Sequence, residues 1–129
     1  PAVVTIDELL EQARARLKRV TVQQLDDEVR AGALLVDIRP AHQRQQDGEM
    51  PGALVIDRNV LEWRLARSSE HRVVDVDPGQ SVIVMCDEGY QSSLAAAALM
   101  DLGIDGATDL VGGYQAYLRR TQTTEPGAR

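Results

Sequence analysis

The sequence predicts an α/β protein: an open, mostly parallel central sheet flanked by helices, with one extra helix at the N-terminus. Three observations predict it. Short runs of Val, Leu and Ile alternate with longer stretches whose apolar residues recur at helical spacing. The joints between them are brief and carry turn residues, as at Arg39-Pro40, Met50-Pro51-Gly52 and Asp77-Pro78-Gly79. Aromatics make up only 3% of the chain and Phe is absent, so Val, Leu, Ile and Ala must fill the core. Layers of sheet and helix suit that composition better than an aromatic-centred barrel.

Each element follows in order. Ile6 to Val20 carries Ile6, Leu9, Leu10, Ala13 and Leu17 on one stripe, with Thr5 as N-cap and Glu8 completing a capping box. Thr21 to Ala31 is a second helix, stopped by Gly32. Leu34 to Ile38 is a buried strand, and His42 to Gln46 one short polar helical turn. Ala53 to Ile56 is a second strand, and Asn59 caps a helix running to about Ala66. Ser68 to Gly79 is a loop, and Val82 to Met85 is the most apolar strand. Ser92 to Leu102 is a helix stopped by Gly103, and Ala107 to Leu110 a short strand. Gly112-Gly113 makes a tight turn into a last helix ending near Arg119, leaving Thr121 to Arg129 as a polar, frayed tail. Trp63 and Met85 are expected in or near the core.

Length and charge narrow the function. A chain of 129 residues is expected to form one domain around one core. The net charge of -6 leaves no basic face for phosphates, so no nucleic-acid partner is expected. No apolar run is long enough to span a bilayer, and no signal-peptide core opens the sequence, so no membrane partner is expected either. A single cysteine makes no internal disulfide, no CxxC pair and no thiolate-rich zinc site, and points to the cytoplasm. His42 and His71 lack partners at metal-ligand spacing and read as surface residues. No metal and no cofactor are expected.

That cysteine, Cys86, closes the most apolar strand and opens a loop into the alanine-rich helix. In α/β sheets, ligands sit beyond the carboxyl ends of the strands. The free N–H groups of a helix's first turn, with its dipole, favour a thiolate there. A loop from Asp87 through Glu88, Gly89, Tyr90 and Gln91 to Ser92 can curl its N–H groups around the sulfur as an anion nest. Gly89 permits the positive φ such a curl needs. Ser92 or Ser93 can cap the helix, and a hydroxyl there can donate to the sulfur. Tyr90 is expected at the pocket rim.

Cys86-Asp87-Glu88-Gly89-Tyr90-Gln91-Ser92 resembles the Cys-x-x-Gly-x-Arg-Ser active-site loop of the rhodanese-like domains. Three more blocks fall in that family's order. Val36-Asp37-Ile38-Arg39 is similar to its Asp-x-Arg segment. Gly48-Glu49-Met50-Pro51-Gly52-Ala53 is similar to Gly-His-Ile-Pro-Gly-Ala, and Leu110 to Tyr117 to the closing Leu-x-Gly-Gly-x-x-Ala-Trp. The resemblance divides the chain into an N-terminal helix extension (1–19), a rhodanese-like domain (20–120) and a flexible tail (121–129). It implies sulfur transfer: a small donor of the thiosulfate type gives its outer sulfur to Cys86, and a thiol, cyanide or protein acceptor removes it. It makes Cys86 the nucleophile and Asp87 to Ser92 the persulfide cradle. Asp37 and Arg39 brace the sheet edge and loops.

Two departures bear on activity. The family's loop arginine is Gln91 here, and the two residues after the cysteine are acidic, where thiosulfate-using relatives tend to be basic. Carboxylates beside the sulfur oppose its charge and repel a dianionic donor, less so where solvent screens them. Arg58 either swings over the pocket to restore a cation or pairs with Glu62 on the surface. The alternative to catalysis is a binding or redox-sensing module with little turnover. A cysteine phosphatase is excluded, because no arginine in the loop can grip phosphate.

Overall fold

The structure is a computed structural model that describes residues 3–124. Strands β1 (Leu34–Asp37), β2 (Leu54–Val55), β3 (Val82–Met85) and β4 (Ala107–Asp109) form one parallel sheet in the order β2-β1-β3-β4. Leu34 stands opposite Val82 and Asp37 opposite Met85, while Val82 stands opposite Ala107 on the other side. The central position of β3 explains its composition, because a parallel strand covered on both faces needs apolar residues throughout. All four of its residues are buried. Val82 and Val84 face one half of the core, and Ile83 and Met85 the other.

Helices α4 (Leu61–Leu65) and α5 (Gln91–Asp101) cover the first face with Leu61, Leu65, Ala95, Ala96 and Leu99. Helices α2 (Val22–Arg30) and α6 (Gly113–Thr124) cover the second, where Leu25, Leu110 and Tyr114 meet Leu35 and Met85. The alanines let α5 lie close against the sheet, and α1 (Ile6–Ala15) packs on its outer side. Helix α3 (Ala41–Asp47) joins β1 towards β2. Among the described residues no helix is long and apolar enough to cross a membrane.

The capping box of α1 is present: the Glu8 N–H donates to Thr5 Oγ1 at 3.1 Å, and the Thr5 N–H to Glu8 Oε1 at 3.0 Å. Several expected boundaries differ. Helix α1 stops at Ala15 instead of Val20, because Val20 is drawn into the sheet edge. Its N–H donates to the Asp109 carbonyl at 3.0 Å, and its carbonyl accepts from Val111 at 2.8 Å. Asp57, not Asn59, caps the turn before α4, accepting the Asn59 N–H at 2.9 Å, and that turn is a 3-10 helix (Arg58–Val60). Trp63 is 58% exposed instead of core, because Leu61 and Leu65 take the buried stripe one helical turn apart. Helix α6 runs on to Thr124, and the rest of the expected tail, 125–129, lies outside the described residues.

Candidate active site

Cys86 follows the last residue of β3, at the carboxyl edge of the sheet, and is 9% exposed. Its Sγ accepts two backbone N–H bonds, from Gly89 at 3.2 Å and Ser92 at 3.3 Å. The loop therefore closes around the sulfur with these two N–H groups directed at it. Gly89 has φ +90°, and a Cβ there would stand 2.8 Å from the Gly112 nitrogen, so both conformation and space require glycine. Helix α5 begins at Gln91 with its amino end towards the sulfur.

Two loop carbonyls, those of Cys86 and Asp87, point the other way, into the start of α6. The Tyr114 N–H donates to the Cys86 carbonyl at 2.9 Å and the Gln115 N–H to the Asp87 carbonyl at 3.0 Å. A Cβ on Gly113 would lie 2.5 Å from the Cys86 oxygen, so only glycine allows α6 this approach. With the acceptors drawn off, the surface turned to the sulfur is one of donors.

The two serines act differently from expectation. Neither caps α5, whose N-cap is Tyr90 without a side-chain bond, and neither hydroxyl is directed to the sulfur. Ser92 Oγ and Ser93 Oγ each donate to Asp109 Oδ2 at 2.7 Å. Only the Ser92 backbone reaches Sγ. Asp109 is fully buried at the end of β4 and also accepts a bidentate pair from Arg19, at 2.8 and 3.1 Å. Four charge-assisted bonds satisfy this carboxylate, so its burial is tolerated. Sequence reasoning overlooked Asp109. A carboxylate at the end of a short strand, Ala107-Thr108-Asp109, was the available signal.

A cleft of about 480 Å³ opens over the sulfur, lined by Arg39, Asp57, Arg58, Glu88, Tyr90 and Gln91 among others. Tyr90 stands on its rim, 61% exposed. Arg58 forms the ion pair with Glu62 considered for it, and it does so at the edge of the cleft. It lines the cleft, donates to Gln91 Oε1 at 3.2 Å, and pairs with Glu62 at 2.8 Å. A guanidinium thus meets the side chain that replaces the family's loop arginine. The two acidic residues also separate. Both line the cleft, but Asp87 accepts a bond from Gln115 at 2.9 Å, whereas Glu88 is exposed.

Asp37 and Arg39 form a fully buried pair at 2.8 Å. Arg39 also donates to the Gly48 carbonyl at 2.9 Å and lies 3.8 Å over the Tyr114 ring. They brace β1, the loop after α3 and the start of α6, as expected. A larger groove of about 610 Å³ between α4 and α5 shares no lining residue with this cleft and contains no cysteine. Among the described residues no cluster of His, Cys, Asp and Glu could hold a metal ion.

Known proteins carry the same frame. Adenylyltransferase and sulfurtransferase MOCS3-1 of Zea mays is 34% identical over 86 residues, which are 67% of this chain and 18% of that protein. The chain thus spans less than a fifth of the length of that relative. Thiosulfate sulfurtransferase GlpE of Stutzerimonas stutzeri is 31% identical over 100 residues, covering 78% of this chain and 84% of that one. Among solved structures, the human single-domain sulfurtransferase TSTD1 shares the fold with a TM-score of 0.65 and 24% identity, over 79% of this chain and 96% of its own. A Rhodopseudomonas palustris protein of unknown function, described as a possible tyrosine phosphatase, matches 94% of this chain and 96% of its own, with a TM-score of 0.81 and 24% identity. The family model for the rhodanese-like domain matches residues 21–120, a span that includes the parallel sheet, the loop around Cys86 and the α6 start that holds it. The chain belongs to the rhodanese-like domain family.

Proposed function

We propose that this protein is a sulfurtransferase that carries sulfane sulfur on Cys86. The observation behind this reading is the pair of N–H donors on Sγ, at the floor of an open cleft. The Cys86 thiolate attacks the outer sulfur of a donor such as thiosulfate. A bond forms between Sγ and that sulfur, the donor's S–S bond breaks, and sulfite leaves with the electron pair. The product is a Cys86 persulfide, whose negative charge the nest from Asp87 to Ser92 suits. A thiol, cyanide or protein acceptor then attacks the outer sulfur, and the electron pair of the broken S–S bond returns to Sγ. Arg58, which lines the cleft and is only partly buried, is the cation that would meet an anionic donor there.

A second reading has an observation of its own. Asp57 and Glu88 are exposed carboxylates on the cleft, and Arg58 is already paired. That rim suits a binding or redox-sensing module with little thiosulfate turnover. Intact-protein mass spectrometry decides between the two, after incubation with thiosulfate or 3-mercaptopyruvate beside Cys86→Ser. A gain of one sulfur atom on the unaltered protein alone is expected. No gain with either donor, while Cys86 still takes an alkylating agent, would leave the module reading.

A further inference from the structure

The chain before residue 21 lies outside the segment that matches the family model, yet it reaches the loop around Cys86. Arg14 Nη2, on α1, donates to the Gly89 carbonyl at 2.8 Å, and Arg19 Nη2 donates to the same oxygen at 3.1 Å. Gly89 is also the residue whose N–H meets Sγ. A glycine at positive φ has more backbone freedom than any other residue, so an unheld Gly89 would rotate its N–H off the sulfur. Two guanidiniums on its carbonyl remove that freedom.

Both guanidiniums are themselves fixed by the first turn of α5 and its surroundings. Arg14 Nε donates to Ser93 Oγ at 3.1 Å, and its guanidinium carbon sits 5.5 Å from the Tyr90 ring centroid. Arg19 is locked by its two bonds to Asp109. Arg19 is therefore neutralised, whereas these contacts of Arg14 are all to neutral groups. The active-site loop itself has no cation, since Gln91 stands where the family carries arginine.

From this geometry we infer that Arg14 and Arg19 are positioning residues of the sulfur site. They hold Gly89 so that its N–H meets Sγ, and Arg14 supplies from behind the loop the positive charge that Gln91 does not. The inference rests on Cys86 being the sulfur carrier, but its test uses no sulfur donor. A chain that never forms a persulfide would still answer it.

The experiment compares Arg14→Ala, Arg14→Lys and Arg16→Ala in the full chain, reading the ultraviolet thiolate absorbance of Cys86 at neutral pH against Cys86→Ser. Arg16, which caps the end of α1, is the control, because it pairs with Asp101 of α5 at 2.6 Å and does not touch the loop. Arg14→Ala is expected to lose roughly threefold of the thiolate signal, in keeping with one weakened bond to a charged group. Arg14→Lys should recover part of it, and Arg16→Ala should match the unaltered protein. Equal signals in Arg14→Ala and the unaltered protein would overturn the inference. So would an equal loss in Arg14→Ala and Arg16→Ala, which would mark a general loosening of α1. Should Arg14→Ala fail to fold, Arg14→Gln takes its place, with a loss expected and an unchanged signal overturning.

Discussion

At the scale of single residues, the site is a sulfur facing two donors with its neighbouring carboxylates sorted apart. Asp87 is bound to Gln115 and Glu88 is free in solvent, so the two should not respond alike. Glu88→Lys is expected to lower the Michaelis constant for thiosulfate about threefold to tenfold with little change in kcat, because it acts on a dianion approaching through the cleft. The gain should shrink as salt is added. Steady-state kinetics at low and high ionic strength check this, and an unchanged constant would mean that rim charge does not limit the donor. Replacing Asp87 should instead disturb the loop through Gln115. Cys86, Gly89 and the loop between them were legible in the sequence because a nest needs consecutive residues, and consecutive residues are what a sequence displays. Asp109 was not legible as the serines' partner. The Ser92 and Ser93 hydroxyls bend towards it only because β4 lies beside β3, and that adjacency is a property of the assembled sheet.

At the scale of elements, α5 holds the amino end that faces the sulfur, and its alanines set how near it lies to β3. Ala96 is fully buried between them. Ala96→Leu is expected to cost about 1–3 kcal/mol through overpacking and to tilt the start of α5 away from Sγ. Denaturant melts beside the rate of Cys86 alkylation would read both effects. Elements with local signals were legible, such as the Thr5–Glu8 capping box and all four residues of β3. The Glu8 carboxyl is held below its ordinary value by its bonds to the Thr5 N–H and hydroxyl, so its contribution to α1 is complete above that value and is lost as pH falls through the lowered one. Boundaries set by distant partners were not legible. Val20 left α1 for the sheet edge, and Trp63 left the core because Leu61 and Leu65 already filled its side.

At the scale of the whole molecule, the order β2-β1-β3-β4 gathers the ends of β1 and β3 and the starts of α5 and α6 on one edge. The fold was legible as a whole because alternating strand and helix patterns allow few arrangements of a parallel sheet. Tyr114 ties that edge together, with its hydroxyl donating to the Asp47 carbonyl at 3.1 Å. Burial raises its phenol above the ordinary value of 10.0, outweighing the lowering by Arg39. A raised folded value means that the native state holds the proton longer than the unfolded chain. Stability from this group is then complete below the unfolded value and is lost as pH rises through the folded one. Thermal melts should therefore fall in the alkaline range, and Tyr114→Phe should flatten the fall. The hold of α6 on the Cys86 and Asp87 carbonyls has one more consequence, for the order in which the chain is made. Synthesis runs from the N-terminus, so Cys86 leaves the ribosome well before Gln115 does. Until the first turn of α6 has emerged and docked, no amide draws those carbonyls off the sulfur. On the proposed function, the loop around Cys86 would therefore gain its full bracing only once α6 has docked.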